Sequence, residues 1–114
     1  VAARYDEALA GTTAKPQRML EGTVSAYHLY TICLPNRDEV RAALGDADIA
    51  TGLYYPVPLH MQECFQGPRF GIDMSAPCPV ADDLATRVLS LPCFPGLTTG
   101  EQDRVIQALL PLLG

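Results

Sequence analysis

Ile49-Ala50-Thr51-Gly52-Leu53-Tyr54-Tyr55-Pro56-Val57-Pro58-Leu59-His60-Met61-Gln62 begins as an alternating, strand-like run and then meets two prolines within three residues. Proline donates no ladder hydrogen bond, so a strand that reaches Pro56 and Pro58 must stop. Around the prolines stand two tyrosine hydroxyls, an imidazole and a carboxamide, from Tyr54, Tyr55, His60 and Gln62. Two readings are open. The stretch is the wall of a ligand site, or it is a half-buried strand ending in a stiff turn with the tyrosines as packing.

Upstream lies the longest β-like run, Val24 to Leu34. Val24, Ala26, His28, Tyr30, Ile32 and Leu34 alternate with Ser25, Tyr27, Leu29, Thr31 and Cys33, and neither face is strongly polar. Such a strand is expected at the centre of a sheet, covered on both sides. His28 inside that run reads as a core or boundary residue before it reads as a catalyst. Pro35 stops the strand. Asn36-Arg37-Asp38-Glu39 then has the spacing of a capping box and opens a helix that buries Val40, Ala43, Leu44 and Ala47. The quoted stretch follows, as a second strand beside the first over Ile49 to Tyr55.

Downstream, His60 to Phe65 has room for one helical turn, and Gln66 to Pro77 reads as a long loop carrying Arg69, Phe70 and Met74. Pro79 suits the first turn of a helix in which Val80, Leu84 and Val88 recur every four residues. Asp82 and Asp83 complement its dipole. Leu89 to Phe94 reads as a third strand. Thr98-Thr99-Gly100-Glu101 is a second capping box before a helix with Val105, Ile106, Leu109 and Leu110 inward. At the other end, Val1 to Ala10 is expected to be a helix closed by Gly11, and Thr12 to Gly22 an irregular segment whose Met19 and Leu20 pack on the domain. Helices packed on a small, mainly antiparallel three-stranded sheet make an α+β two-layer domain.

The composition bounds the function. The 114 residues suit one domain, 1–114, and the formal charge of −5 argues against a protein that tracks phosphates along nucleic acid. Hydrophobic residues make up 48% and charged residues 18%, below the roughly 25% usual for a soluble domain, so apolar surface is expected to be covered by a second copy or a further part of a longer chain. Cys33, Cys64, Cys78 and Cys93 have no metal-knuckle or redox-pair spacing, which favours reduced thiols, a cytoplasmic location and no metal site. No apolar run approaches the length of a membrane span. A Cys-His or serine hydrolase has no matching signature. Lys15 is the only lysine.

Several blocks, in order, resemble the C-terminal small domain of DegT/StrS-type sugar aminotransferases, which are fold-type I pyridoxal-phosphate enzymes. Arg4-Tyr5 through Leu9 resembles the end of the helix leading into that domain, Tyr27-His28-Leu29-Tyr30 its first strand, and Asn36-Arg37-Asp38-Glu39 the start of its helix. Thr51 to Gln62 is similar to the family stretch Gly-Ile-His-Tyr-Pro-x-Pro-Leu-His-x-Gln. Leu89-Ser90-Leu91-Pro92, Phe94-Pro95 and Leu97-Thr98 resemble the closing signature. Tyr54 stands where the family generally has His, and Asp48 where it has Gly.

The resemblance implies residues 1–11 as the end of an interdomain helix and 23–114 as an α+β small domain. It implies transfer of an amino group to a nucleotide-linked keto-sugar by a homodimer, with the cofactor lysine on a large N-terminal domain. Lys15 does not match that lysine. The chain alone is therefore expected to hold no cofactor and to supply no catalytic residue, while Tyr54, Tyr55 and His60 bind substrate, with His28 and Gln62 as additional contacts. The different-class alternative is an orphan domain that self-associates or binds a small ligand through its apolar faces.

Overall fold

Ile32 and Leu89 face each other across an antiparallel strand pair at the centre of the core of the computed structural model, and both side chains are fully buried. The structure describes residues 1–65 and 76–114. Among them are α-helices α1 (Ala2–Leu9), α2 (Arg37–Asp46), α3 (Pro79–Arg87) and α4 (Thr99–Leu109), and strands β1 (Lys15–Pro16), β2 (Tyr30–Cys33) and β3 (Val88–Leu91). The sheet order is β1-β2-β3, antiparallel throughout. The architecture is α+β, as the sequence predicts, with β2 in the middle.

One apolar core joins the layers. Tyr5 and Leu9 of α1, Tyr30 and Ile32 of β2, Val40 and Leu44 of α2, Leu89 and Leu91 of β3, and Val105 and Leu109 of α4 all belong to it. Each fully buried leucine among them contributes about 1.5–3 kcal/mol through surface withdrawn from water. On the other face of the strand pair, Thr31 and Ser90 are register partners whose hydroxyl oxygens lie 2.8 Å apart. That bond satisfies the buried Ser90.

The second capping box forms as the sequence predicts: Thr98 Oγ1 accepts from the Glu101 amide at 3.2 Å, and Glu101 Oε2 accepts from the Thr98 amide at 2.8 Å. The first does not. The Asn36 side chain turns away and donates to the Leu112 carbonyl at 3.4 Å instead, so a long-range contact displaces the local cap.

The β-like run from Val24 is shorter than its alternation suggests. Val24 is 95% exposed, and only Tyr30–Cys33 pair with other strands. The Tyr27 amide donates to Ser25 Oγ at 3.0 Å, and Tyr27 adopts a φ of 45°. This side-chain turn takes the backbone out of the extended conformation before the ladder begins. His28 is consequently exposed and outside the sheet.

Three other expectations change. Ile49 to Tyr55 is not a second strand beside the first. Among the described residues its one pairing is the exchange between Gly52 and Ser90, at 2.8 and 3.0 Å, on the far side of β3 from β2. The second neighbour of β2 is β1, a two-residue pairing within a segment read as irregular; Pro16 is tolerated there because an edge position asks for few donors. Met19 and Leu20 are exposed, as is Leu110, so none of the three packs inward.

The α3 stripe also points elsewhere than expected. Val80 is 72% exposed and Leu84 40%, while the buried residue of the helix is Ala85. The small alanine lets the helix lie close to the core, and the larger apolar chains face outward. All four cysteines are unpaired, and Cys33 and Cys93 are half-buried. The loop expected over 66–77, with Arg69, Phe70 and Met74, falls for 66–75 outside the described residues.

Candidate functional site

Pro56 and Pro58 end the extended course of the quoted stretch, and the chain then makes two short 3-10 turns, Leu59–Met61 and Glu63–Phe65. The Met61 amide donates to Pro58 O at 2.9 Å and the Phe65 amide to Gln62 O at 3.0 Å. This compact strap lies opposite α3. Pro79 sets the first turn of that helix, with Cys78 at its N-cap position. Further along, Arg87 Nη1 donates to Asp83 Oδ2 at 2.9 Å, one turn apart.

The C-terminal end of α3 is held from below. Arg37, at the start of α2 and nearly buried, donates through Nη1 to the carbonyls of Ala85 and Val88, each at 3.3 Å. A guanidinium on the last carbonyls of a helix satisfies acceptors that the helix itself leaves open and complements its dipole.

Between strap and helix runs a groove of ≈ 560 Å³. Tyr54, Tyr55, His60 and Gln62 line it from the strap; Leu84 of α3 and Val88, the first residue of β3, line it from the other side. The lining is mainly apolar with a few polar tips, the usual make-up of a small-molecule site. The Tyr54 and Tyr55 rings meet edge to face, with centroids 5.8 Å apart. Gln62 Nε2 reaches back to Val57 O at 3.5 Å. His60 is largely buried, and its Nε2 lies 3.0 Å from Asp82 Oδ1.

Four of the five residues singled out by sequence thus share one groove. His28 does not line it. Sequence reasoning missed Asp82, read only as a complement to the helix dipole, and read Leu84 and Val88 only as part of a four-residue repeat along a helix. The four-residue repeat gives a stripe without saying which way it points; the small Ala81 and Ala85 beside it were the available signal.

Burial displaces the acidity of two tyrosines elsewhere. It pushes the Tyr5 hydroxyl, which donates to Pro92 O at 2.9 Å, up to about 12. It also raises Tyr30, aided by the 2.7 Å bond to Asp6. Their ring centroids lie 4.9 Å apart at a tilt of 34° between α1 and β2, within the core.

The groove's donor set does not fit covalent capture of pyridoxal phosphate. Such capture needs a lysine amine, and the only lysine in the chain, Lys15, is exposed on β1 with Nζ donating to Thr12 O at 3.1 Å. Among the described residues no three His, Cys, Asp or Glu side chains form a group able to hold a metal ion. No described helix is long and apolar enough to cross a membrane.

Comparison with known proteins matches this geometry to a family. The chain is 39% identical over 101 residues to a UDP-N-acetyl-3-dehydro-alpha-D-glucosamine 3-aminotransferase of Acidithiobacillus ferrooxidans, covering 89% of this chain and 26% of that protein. Its fold superposes on S. venezuelae DesV, solved in complex with a ketimine intermediate, with a TM-score of 0.85 and 33% identity, covering 97% of this chain and 29% of that one. The PLP form of Spr1654 from Streptococcus pneumoniae gives a TM-score of 0.80 at 27% identity, over 96% of this chain and 29% of that one. The chain therefore spans between 26% and 29% of the length of these relatives. Residues 1–110 match the model of the DegT/DnrJ/EryC1/StrS aminotransferase family, and the chain belongs to that family.

Proposed function

We propose that this chain is the small domain of a pyridoxal-phosphate-dependent nucleotide-sugar aminotransferase and forms one wall of its substrate site. The observation that carries the reading is the convergence of Tyr54, Tyr55, His60 and Gln62 on one groove. In this role the tyrosine hydroxyls, the imidazole and the carboxamide bind and orient the sugar nucleotide, and the apolar floor excludes water from it. Tyr54, in the position where the family generally carries His, keeps a donor and acceptor but does not bring a cation at neutral pH. When bound, the cofactor carries the amino group between donor and sugar; its lysine and most of its contacts come from a larger domain. The 114 residues alone do not transaminate. The assembled enzyme is a cytoplasmic homodimer, with His28 outside the groove as a further contact.

The test compares the 114-residue chain with the full-length protein. Full-length protein is expected to aminate a nucleotide-linked keto-sugar and to lose affinity for it in Tyr55→Phe and His60→Ala. A stoichiometric aldimine absorbance in the short chain, abolished by Lys15→Ala, would overturn the inactivity of the domain alone. Unchanged KM in both variants would remove the groove from the substrate site.

Exposed Tyr55, Leu59, Met61 and Val80 favour one second reading, a self-associating module that buries these chains against a copy of itself. A monomer by light scattering at high concentration would exclude it.

A further inference from the structure

We infer that Asp82 is a positioning residue for His60, fixing the orientation and tautomer of the imidazole across the rim of the groove. The inference rests on the reading of the groove as a substrate wall, and deepens it by naming a residue on α3 that acts through one on the strap.

Three observations carry it. His60 Nε2 is 3.0 Å from Asp82 Oδ1, and the imidazole is 19% exposed. Oδ1 of Asp82 is shut off from solvent although the rest of its side chain is not, and it has no aligned hydrogen-bond donor among the described residues. A shielded carboxylate oxygen is costly to leave without a donor, and the imidazole is the group within reach. Finally, Asp82 is fixed independently of His60, because its amide donates to Cys78 O at 3.0 Å in the first turn of α3.

The second torsion of a histidine is soft, so a small ring rotation aims the Nε2–H along the 3.0 Å line. With the carboxylate as acceptor, the neutral imidazole carries its proton on Nε2. The ring plane is then set by α3, which the core holds, and not by the strap alone. A carboxylate behind an imidazole is a common way of holding such a ring to one geometry.

The test uses full-length protein with 15N-labelled histidines, His60 being assigned by the signal lost in His60→Gln. Wild type is expected to show the Nε2–H tautomer. Asp82→Ala should shift His60 toward a mixture, whereas Asp82→Asn, whose amide oxygen still accepts, should retain the wild-type signal. Asp83→Ala, which removes a neighbouring charge of the same helix, should also retain it, separating a specific contact from the general field of the helix. KM for the nucleotide-linked sugar should rise about fivefold in Asp82→Ala, the loss of one ordinary hydrogen bond, with kcat changed less. An unchanged tautomer in Asp82→Ala, with the fold intact by circular dichroism, overturns the inference. A wild-type KM in both His60→Ala and Tyr55→Phe instead overturns the substrate-wall reading, while the tautomer still decides the role of Asp82.

Discussion

The Tyr54 ring lies against Gly52 so closely that a Cβ added to the glycine would fall on the ring edge. Gly52 is also the residue that exchanges backbone bonds with Ser90, so one position serves both the sheet margin and the groove. The obstacle is an exposed, rotatable side chain, and the backbone needs no left-handed conformation there. Gly52→Ala should therefore displace Tyr54 at a cost below about 1 kcal/mol, less than overpacking a closed core. A crystal structure of the variant should show the ring moved with the Gly52–Ser90 pairing retained, and thermal unfolding should give the cost.

Alkaline stability should depend on Tyr5. Burial raises its folded pKa to about 12, above the ordinary tyrosine value of 10.0, so the neutral form favours the folded state. The resulting stability is fully present below pH 10 and is lost as pH rises toward 12. Tyr5→Phe should lower stability at neutral pH by about 1 kcal/mol, through the lost bond to Pro92 O. It should also make the fall above pH 10 shallower. Urea titrations at pH 8 to 11 measure both effects. Some slope should remain, because Tyr30 is raised as well.

The α4 cap should give the opposite pH dependence. Bonds from the Thr98 hydroxyl and amide hold the Glu101 carboxyl below the usual range. Its contribution is present above the ordinary glutamate pKa of about 4.3 and is lost as pH falls through the lowered value. Glu101→Gln should flatten the acid limb of the stability profile. Thr98→Ala should cost about 1 kcal/mol at neutral pH, as cap removal does elsewhere.

Arg37 makes two kinds of contact, and burial decides which counts. Its Nη1 meets the Ala85 and Val88 carbonyls inside the fold, while its Nε faces Asp38 at 2.6 Å, a carboxylate whose side chain is 80% exposed. Arg37→Ala should cost about 1–3 kcal/mol, the range for stranding buried acceptors. Asp38→Asn should change stability by no more than about 1 kcal/mol, because an exposed pair is well screened. Denaturant midpoints of the two variants at matched ionic strength distinguish these sizes.

What the sequence made legible follows local chemistry. Thr98 and Glu101 signal their cap at a fixed spacing, and Pro79 marks the start of α3, so both helices are found. Leu89 and Ile32 announce strands because β-prone apolar runs have few other uses in a small domain. The pairing of Gly52 with Ser90, the turn at Ser25 and Tyr27, and the outward face of Leu84 were not legible. Each depends on a partner distant in sequence, or on a competition between a side chain and the ladder that alternation does not record. In the groove, the prolines drew attention to Tyr54, Tyr55, His60 and Gln62, but nothing near them in sequence pointed to Asp82.

Helix α3 ends at Arg87 and β3 begins at Val88, with no residue between them. The groove thus has one bank welded to the hydrophobic interior and another, the strap, joined to it by short turns. Change in what the groove accepts is cheapest on the strap: residues 54–62 can be exchanged as a cassette, while substitutions on α3 also perturb the sheet. On the proposed reading of the groove as a substrate wall, grafting that cassette from a relative with a different sugar preference should alter selectivity without redesigning the interior.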